Sequence, residues 1–253
     1  GSTKTQREKS FADLFRSLGQ GTHLLQDATV PAHVREDPHL NVLVPFTNFQ
    51  FPDPDGYEKW SLNNGASATA IIGLAPKIPP SSIFNATDSS RAPSPVARLF
   101  DTDRFEAGNS GILSDPVLGI AEFTNGNFLS RSTIFRDFAL PRASDLVLEQ
   151  PINELIDGSV ERYYSKPLAT GETVIRFVRE GMLRKALRAV NLSPGISSSW
   201  VLDDRVHADY AQLLLPRAVG YSASLLDYFF RGKLNVDISC DPADMSLVRV
   251  EGT

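Results

Sequence analysis

His23 and Asp27 stand four residues apart in a run with helical spacing. That puts an imidazole and a carboxylate on one helix face, with Cβ atoms about 5–6 Å apart. Such a pair can grip one divalent ion, and zinc accepts its mixture of nitrogen and oxygen. His33 and His39 follow, so three of the chain's four histidines fall within residues 23–39. In an unbroken helix His33 would lie about 15 Å along the axis from His23, too far to share its ion. Pro31 changes that. It lacks a backbone donor and pushes Val30 out of helical dihedrals, so the helix must kink or stop there. The break lets His33 swing back, or serve a second ion, as in two-metal sites with ions about 3.5–4 Å apart. A helix-surface hydrogen bond would use the same His–Asp spacing, and spacing alone leaves both readings open.

Leu18-Gly19 precedes His23 in a Leu-Gly-x-x-x-His-x-x-x-Asp pattern, and Pro31 and His33 follow at four and six residues after Asp27. A Gly-Tyr-Glu-Lys-Trp run then supplies Glu58. From Phe15 to Trp60 the chain resembles the zinc-dependent phospholipase C and single-strand-specific nuclease superfamily, as a bacterial phospholipase C-like protein. The resemblance implies that His23 and Asp27 hold one zinc, with Asp27 able to bridge to another and acting as the catalytic carboxylate. It places His33 and Glu58 on a neighbouring zinc. The superfamily puts a histidine four residues before that glutamate, where this chain has Pro54. His39, on a loop opened by Pro38, is the first choice to replace it; water filling the gap comes next, and His207 last. The superfamily's upstream ligands have no match before His23. Gly1-Ser2 reads as a scar of tag removal, and the chain as a piece of a longer protein or a member that has shed part of its metal centre. By resemblance alone, the protein is expected to be secreted, periplasmic or on the cell surface.

The bulk properties fit a globular domain. Apolar residues make up 42% of the 253, ample for a core. No apolar run reaches the length of a transmembrane helix. The net charge of −5 argues against a broad nucleic-acid footprint, though two bound zinc ions would nearly cancel it. One cysteine, Cys240, precludes an intrachain disulfide.

The elements that must position these residues form a mainly α fold: a helical phospholipase C-like domain over 3–232, with a loop-rich insertion over 64–116 and a short β tail. The spacing predicts a first helix over 5–27, with Phe11, Leu14, Phe15, Leu18, Thr22 and Leu25 on its buried face. A loop follows from Val34 to Asp55, with room for a strand at Leu40–Val44, and then a short helix over Tyr57–Asn63. Prolines through 64–116 predict an extended excursion, either lid or decoration. Ser114-Asp115-Pro116 reads as a helix start. Beyond it Glu122 and Asn125 lie three apart on one face, where they would bind substrate or a metal-bound water, or simply face solvent. Residues 144–168 read as one short helix and a loop. Residues 172–190 fit a helix with a stripe of Ile175, Val178, Met182, Ala186 and Ala189, although Val174–Val178 also fits a strand. The last helix is capped by Asp203 and Asp204 and buries Val206, Tyr210, Leu213, Ala218, Tyr221, Leu225 and Phe229, with a kink at Pro216 and a stop at Gly232. Residues 233–253 alternate with period two around Asp241, Pro242 and Asp244, a strand pair expected to open a following β-domain of the parent protein.

The expected activity is zinc-assisted phosphodiester hydrolysis, with a phospholipid head group favoured over nucleic acid because the chain is acidic. The alternative is a non-catalytic secreted or surface binding module with a vestigial or structural metal site, suggested by Pro54 and the missing upstream ligands.

Overall fold

The computed structural model describes residues 3–35, 37, 55–85, 95–102, 119–131, 146–148, 153–154, 160–190, 200–231, 236–241 and 244–252. The fold is mostly helical. Helix α1 runs Lys4–Asp27, capped by a reciprocal Thr3–Gln6 box, and α2 is the single turn Pro31–Val34. Pro31 takes the first position of α2, where its missing N–H costs nothing, and Val30 before it is extended. Helix α3 covers Gly56–Asn63 and α4 Gly65–Ile72. A turn of helix, α5, spans Ser82–Asn85, and a 3₁₀ turn Ala97–Leu99. Helix α6 is Ile120–Asn127, α7 is Met182–Ala189 and α8 is Asp204–Phe229.

The β structure is larger than the sequence suggests. Strands β1 (Val147–Leu148), β4 (Tyr163–Pro167), β5 (Thr173–Glu180) and β6 (Trp200–Val201) form one antiparallel sheet in the order β1-β4-β5-β6. Strands β2 (Asn153–Glu154) and β3 (Val160–Glu161) pair separately. The expected helix within 144–168 is therefore strand where it is described. The stretch 172–190 splits into β5 and α7, with the strand alternative correct for its first half. Strands β7 (Val236–Asp241) and β8 (Asp244–Gly252) form the expected C-terminal hairpin. The predicted strand at Leu40–Val44 and the helix start at 114–116 lie outside the described residues.

Helix α8 is the axle. It packs against β5, α1, α4 and α3. Tyr210, fully buried in its second turn, donates to the Phe177 carbonyl at 2.8 Å and accepts from the Leu129 N–H at 3.3 Å, joining helix, sheet and the chain after α6. Asp209 takes the Arg176 guanidinium in a fork, at 2.6 and 2.9 Å, and the Arg176 N–H at 2.9 Å. Buried Lys166 on β4 donates to the Gly126 carbonyl and to Asn127 Oδ1 at the end of α6.

Helix α8 is continuous through Pro216, the position of the expected kink, and the Pro216 carbonyl takes the Lys77 N–H at 3.0 Å. Gly220 lets that strand of chain cross closely, since a Cβ there would fall on the Lys77 carbonyl. The proline-dense region accordingly sends Ile71, Ile83 and Leu99 into the core rather than running wholly outside it. Lastly, α1 buries only Leu18 and Leu25, while Phe11 and Phe15 stay exposed. Gly21 meets Leu225 and Phe15 stacks on Phe230, so the helices run antiparallel and α1's first turns pass the end of α8.

Candidate metal centre

The turn after α1 brings the sequence-selected residues together. The Thr29 and Val30 N–H groups bond back to Gln26 and Asp27 carbonyls, and the Thr29 hydroxyl seals the turn on Gln26 at 2.6 Å. The chain re-enters helix at Pro31, folding His33 back beside Asp27. Arg35, just beyond α2, donates to the Asn125 carbonyl at 2.6 Å and to Asn125 Oδ1 at 3.3 Å, tying α2 to α6. Burial pulls the Arg35 guanidinium down to about 10.

Four side chains stand in a line. His23 Nε2 lies 3.4 Å from Asp27 Oδ2. Asp27 Oδ1 faces His33 Nδ1 at 3.7 Å, and His33 Nε2 lies 3.4 Å from Glu58 Oε1. Charge-assisted N–H···O bonds close to about 2.7–2.9 Å. Two ligand atoms each about 2.0–2.1 Å from one tetrahedral zinc sit roughly 3.3 Å apart. The outer pairs, His23–Asp27 and His33–Glu58, thus have the spacing and the nitrogen–oxygen chemistry of zinc co-ligands. Asp27 meets the far nitrogen of His33, the arrangement by which a carboxylate fixes the ring of a metal-bound histidine. Each outer pair supplies two ligands. Among the described residues no group of three or more histidine, cysteine, aspartate or glutamate side chains is placed to hold one ion.

The line opens on solvent. The His23 side chain is 71% exposed and Glu58 40%, whereas His33 is 23% exposed. Beside it lies an open cleft of about 640 Å³, walled by Leu24, Ala28, Val34 and Phe100 with Asp27 and His33 in its floor. A charged group can meet the line while an apolar part of the same molecule lies along the wall.

Helix α3 aims Glu58. Asp55 caps it, its Oδ2 accepting the Glu58 N–H at 3.2 Å. Burial raises the Asp55 carboxyl above its ordinary range and Glu58 adds to the rise, while the backbone N–H groups and His207 oppose it. His207 packs on this helix but on the wrong side to replace Pro54. Its ring lies against Gly56. Two helical residues further on, Glu58 points about 200° around the axis. His207 is therefore removed from the candidate ligands. His39 and Pro54 lie outside the described residues.

Glu122 and Asn125, the expected substrate-binding pair, hold the fold together. The buried Glu122 carboxylate accepts the Gly119 N–H at 3.0 Å, closing the start of α6, and the Thr102 hydroxyl at 2.9 Å. Asn125 receives Arg35. Arg35 and Asp55 are the supporting residues that spacing overlooks; the signal available was an arginine two residues beyond His33 and an aspartate three before Glu58.

No family model, curated protein or solved structure matches this chain. No described helix is long and apolar enough to cross a membrane.

Proposed function

We propose that this chain carries the metal centre of a zinc-dependent phosphodiester hydrolase resembling the phospholipase C and single-strand nuclease superfamily. The observation that supports it is the line itself: two His–carboxylate pairs, each at 3.4 Å, joined through Asp27. Zinc bound there would lower the pKa of a bound water to about 7 and offset charge on the phosphoryl oxygens. His23 and Asp27 would hold one ion, and His33 and Glu58 its neighbour. Asp27 would also fix the His33 ring through its other oxygen. A phospholipid head group or another small phosphodiester is favoured over nucleic acid, because the cleft wall is apolar and the chain is acidic. A secreted, periplasmic or cell-surface setting, and an adjoining β-domain beyond β8, belong to the same reading.

The test is hydrolysis of a chromogenic phosphodiester and a phosphocholine analogue with zinc present, by this chain and by a version extended at its N-terminus. Weak hydrolysis here and a gain on extension support a centre completed from outside. A second reading, a non-catalytic binding module with a structural or vestigial ion, draws on the two ligands that each pair supplies among the described residues. Zinc binding without hydrolysis at either length would favour it.

A further inference from the structure

His207 is the one histidine outside the run at residues 23–39, and the zinc reading gives it no task. It sits in the first turn of α8 and is 6% exposed. Its Nδ1 is buried with no hydrogen-bond partner. The ring packs edge-on to Tyr57 and Tyr210, with centroids 6.4 Å away in each case. What it packs on is the backbone at Gly56: a Cβ there would stand 2.8 Å from Nε2 and 3.3 Å from Cε1. Real Cβ contacts do not close to that distance, and interiors this dense transmit such displacements rather than absorbing them. Gly56 is the first residue of α3, and Glu58 projects from the same turn on the opposite side, toward His33. The seam between α3 and α8 thus sets where Glu58 stands.

We propose that His207 is a positioning residue: seated on Gly56, it fixes the start of α3 and so holds Glu58 opposite His33. What the Glu58–His33 pair binds rests on the zinc reading, but the positioning does not. The ring acts as a spacer of fixed thickness. Asp55, Asp203 and Asp204 surround it electrostatically, yet burial holds its imidazole below the ordinary value, as suits a neutral wedge.

The experiment records long-range ¹H–¹⁵N spectra of the imidazole rings in the zinc-free chain, with melting temperature alongside. The variants are Gly56→Ala, His207→Ala and the double Gly56→Ala/His207→Ala. Gly56→Ala is expected to shift the His33 ring resonances while leaving those of His23 in place. It should also weaken zinc binding at the Glu58 pair at least roughly tenfold, the smaller loss usual for disturbed metal-site supports. The double variant, with room for the methyl group, should return His33 toward its wild-type position. A folded Gly56→Ala chain with unmoved His33 resonances overturns the proposal, because His207 would then have turned aside. So does a double variant that restores nothing. Where Gly56→Ala does not fold, His207→Ala alone decides: loss of the spacer must shift His33 and not His23. Failure of the wild-type chain to bind zinc would defeat the zinc reading only, since the ring resonances are read without metal.

Discussion

His33 Nε2 stands 3.4 Å from Glu58 Oε1, although the two residues come from separate helices, and the Asp27 carboxylate faces the other side of the same ring. The ring is thus gripped between a candidate co-ligand and a candidate orienting group. Glu58→Gln should remove one zinc equivalent, or weaken it at least roughly tenfold, while His23 and Asp27 keep theirs. Calorimetric zinc titration of both proteins reads the difference directly.

Glu122 and Asn125 should behave as structural residues. Glu122→Ala strips the cap from α6 and the acceptor from Thr102, so unfolding stability should drop by about 1–2 kcal/mol. Asn125→Ala leaves its carbonyl bond to Arg35 intact and should cost less, about 0.5–1 kcal/mol. Urea titration measures both. Zinc content in each folded variant should match wild type; a lost equivalent with unchanged stability would return these residues to the site.

A charged fork ties the sheet to α8. Asp209→Ala would leave the Arg176 guanidinium and N–H without their acceptor at the α8–β5 contact. Loss of one partner of a largely buried pair costs about 3–5 kcal/mol, and partial exposure of Arg176 places this case at the lower end, about 3 kcal/mol. Denaturant unfolding followed by far-UV circular dichroism tests it; a change under about 1 kcal/mol would show the fork to be dispensable.

Acid should loosen the α3–α8 seam. Burial lowers the folded-state pKa of His207, so below about 6.5 the unfolded chain takes up the proton first. Stability from this group is complete above that value and is lost as pH falls, with a slope of at most about 1.4 kcal/mol per pH unit. Asp55 acts in the opposite sense, since its folded pKa is raised above 3.8 and protonation favours the folded state. His207→Gln should therefore lose less stability than wild type between about pH 7 and 5.5. Equal losses would assign the acid sensitivity elsewhere.

The His23–Asp27–His33 part of the line was legible because it is local: helix spacing pairs His23 with Asp27, and Pro31 announces the break. Glu58, on a separate helix, was reached only through the resemblance. The sheet was not legible. Ile175 and Val178, three apart on the expected helix stripe, fall on opposite faces of β5, where Val178 is buried and Ile175 is 57% exposed. Met182, placed on that stripe, is 87% exposed because the helix turns its buried Arg184 onto the Trp200 ring at 3.9 Å instead. Nor could spacing reveal the roles of Glu122 and His207. Their partners, Thr102 and Gly56, are brought to them by tertiary folding alone.

Zinc content separates a metal centre from a cluster of polar contacts. The measurement is elemental analysis of the wild-type chain, Asp27→Ala and Glu58→Gln after zinc loading and exhaustive dialysis. Zinc should be retained by wild type, partly lost in Glu58→Gln and lost most in Asp27→Ala, which touches both histidines. Wild-type protein without stoichiometric zinc, or equal zinc in all three, would contradict the zinc reading and leave the line as four side chains in simple polar contact.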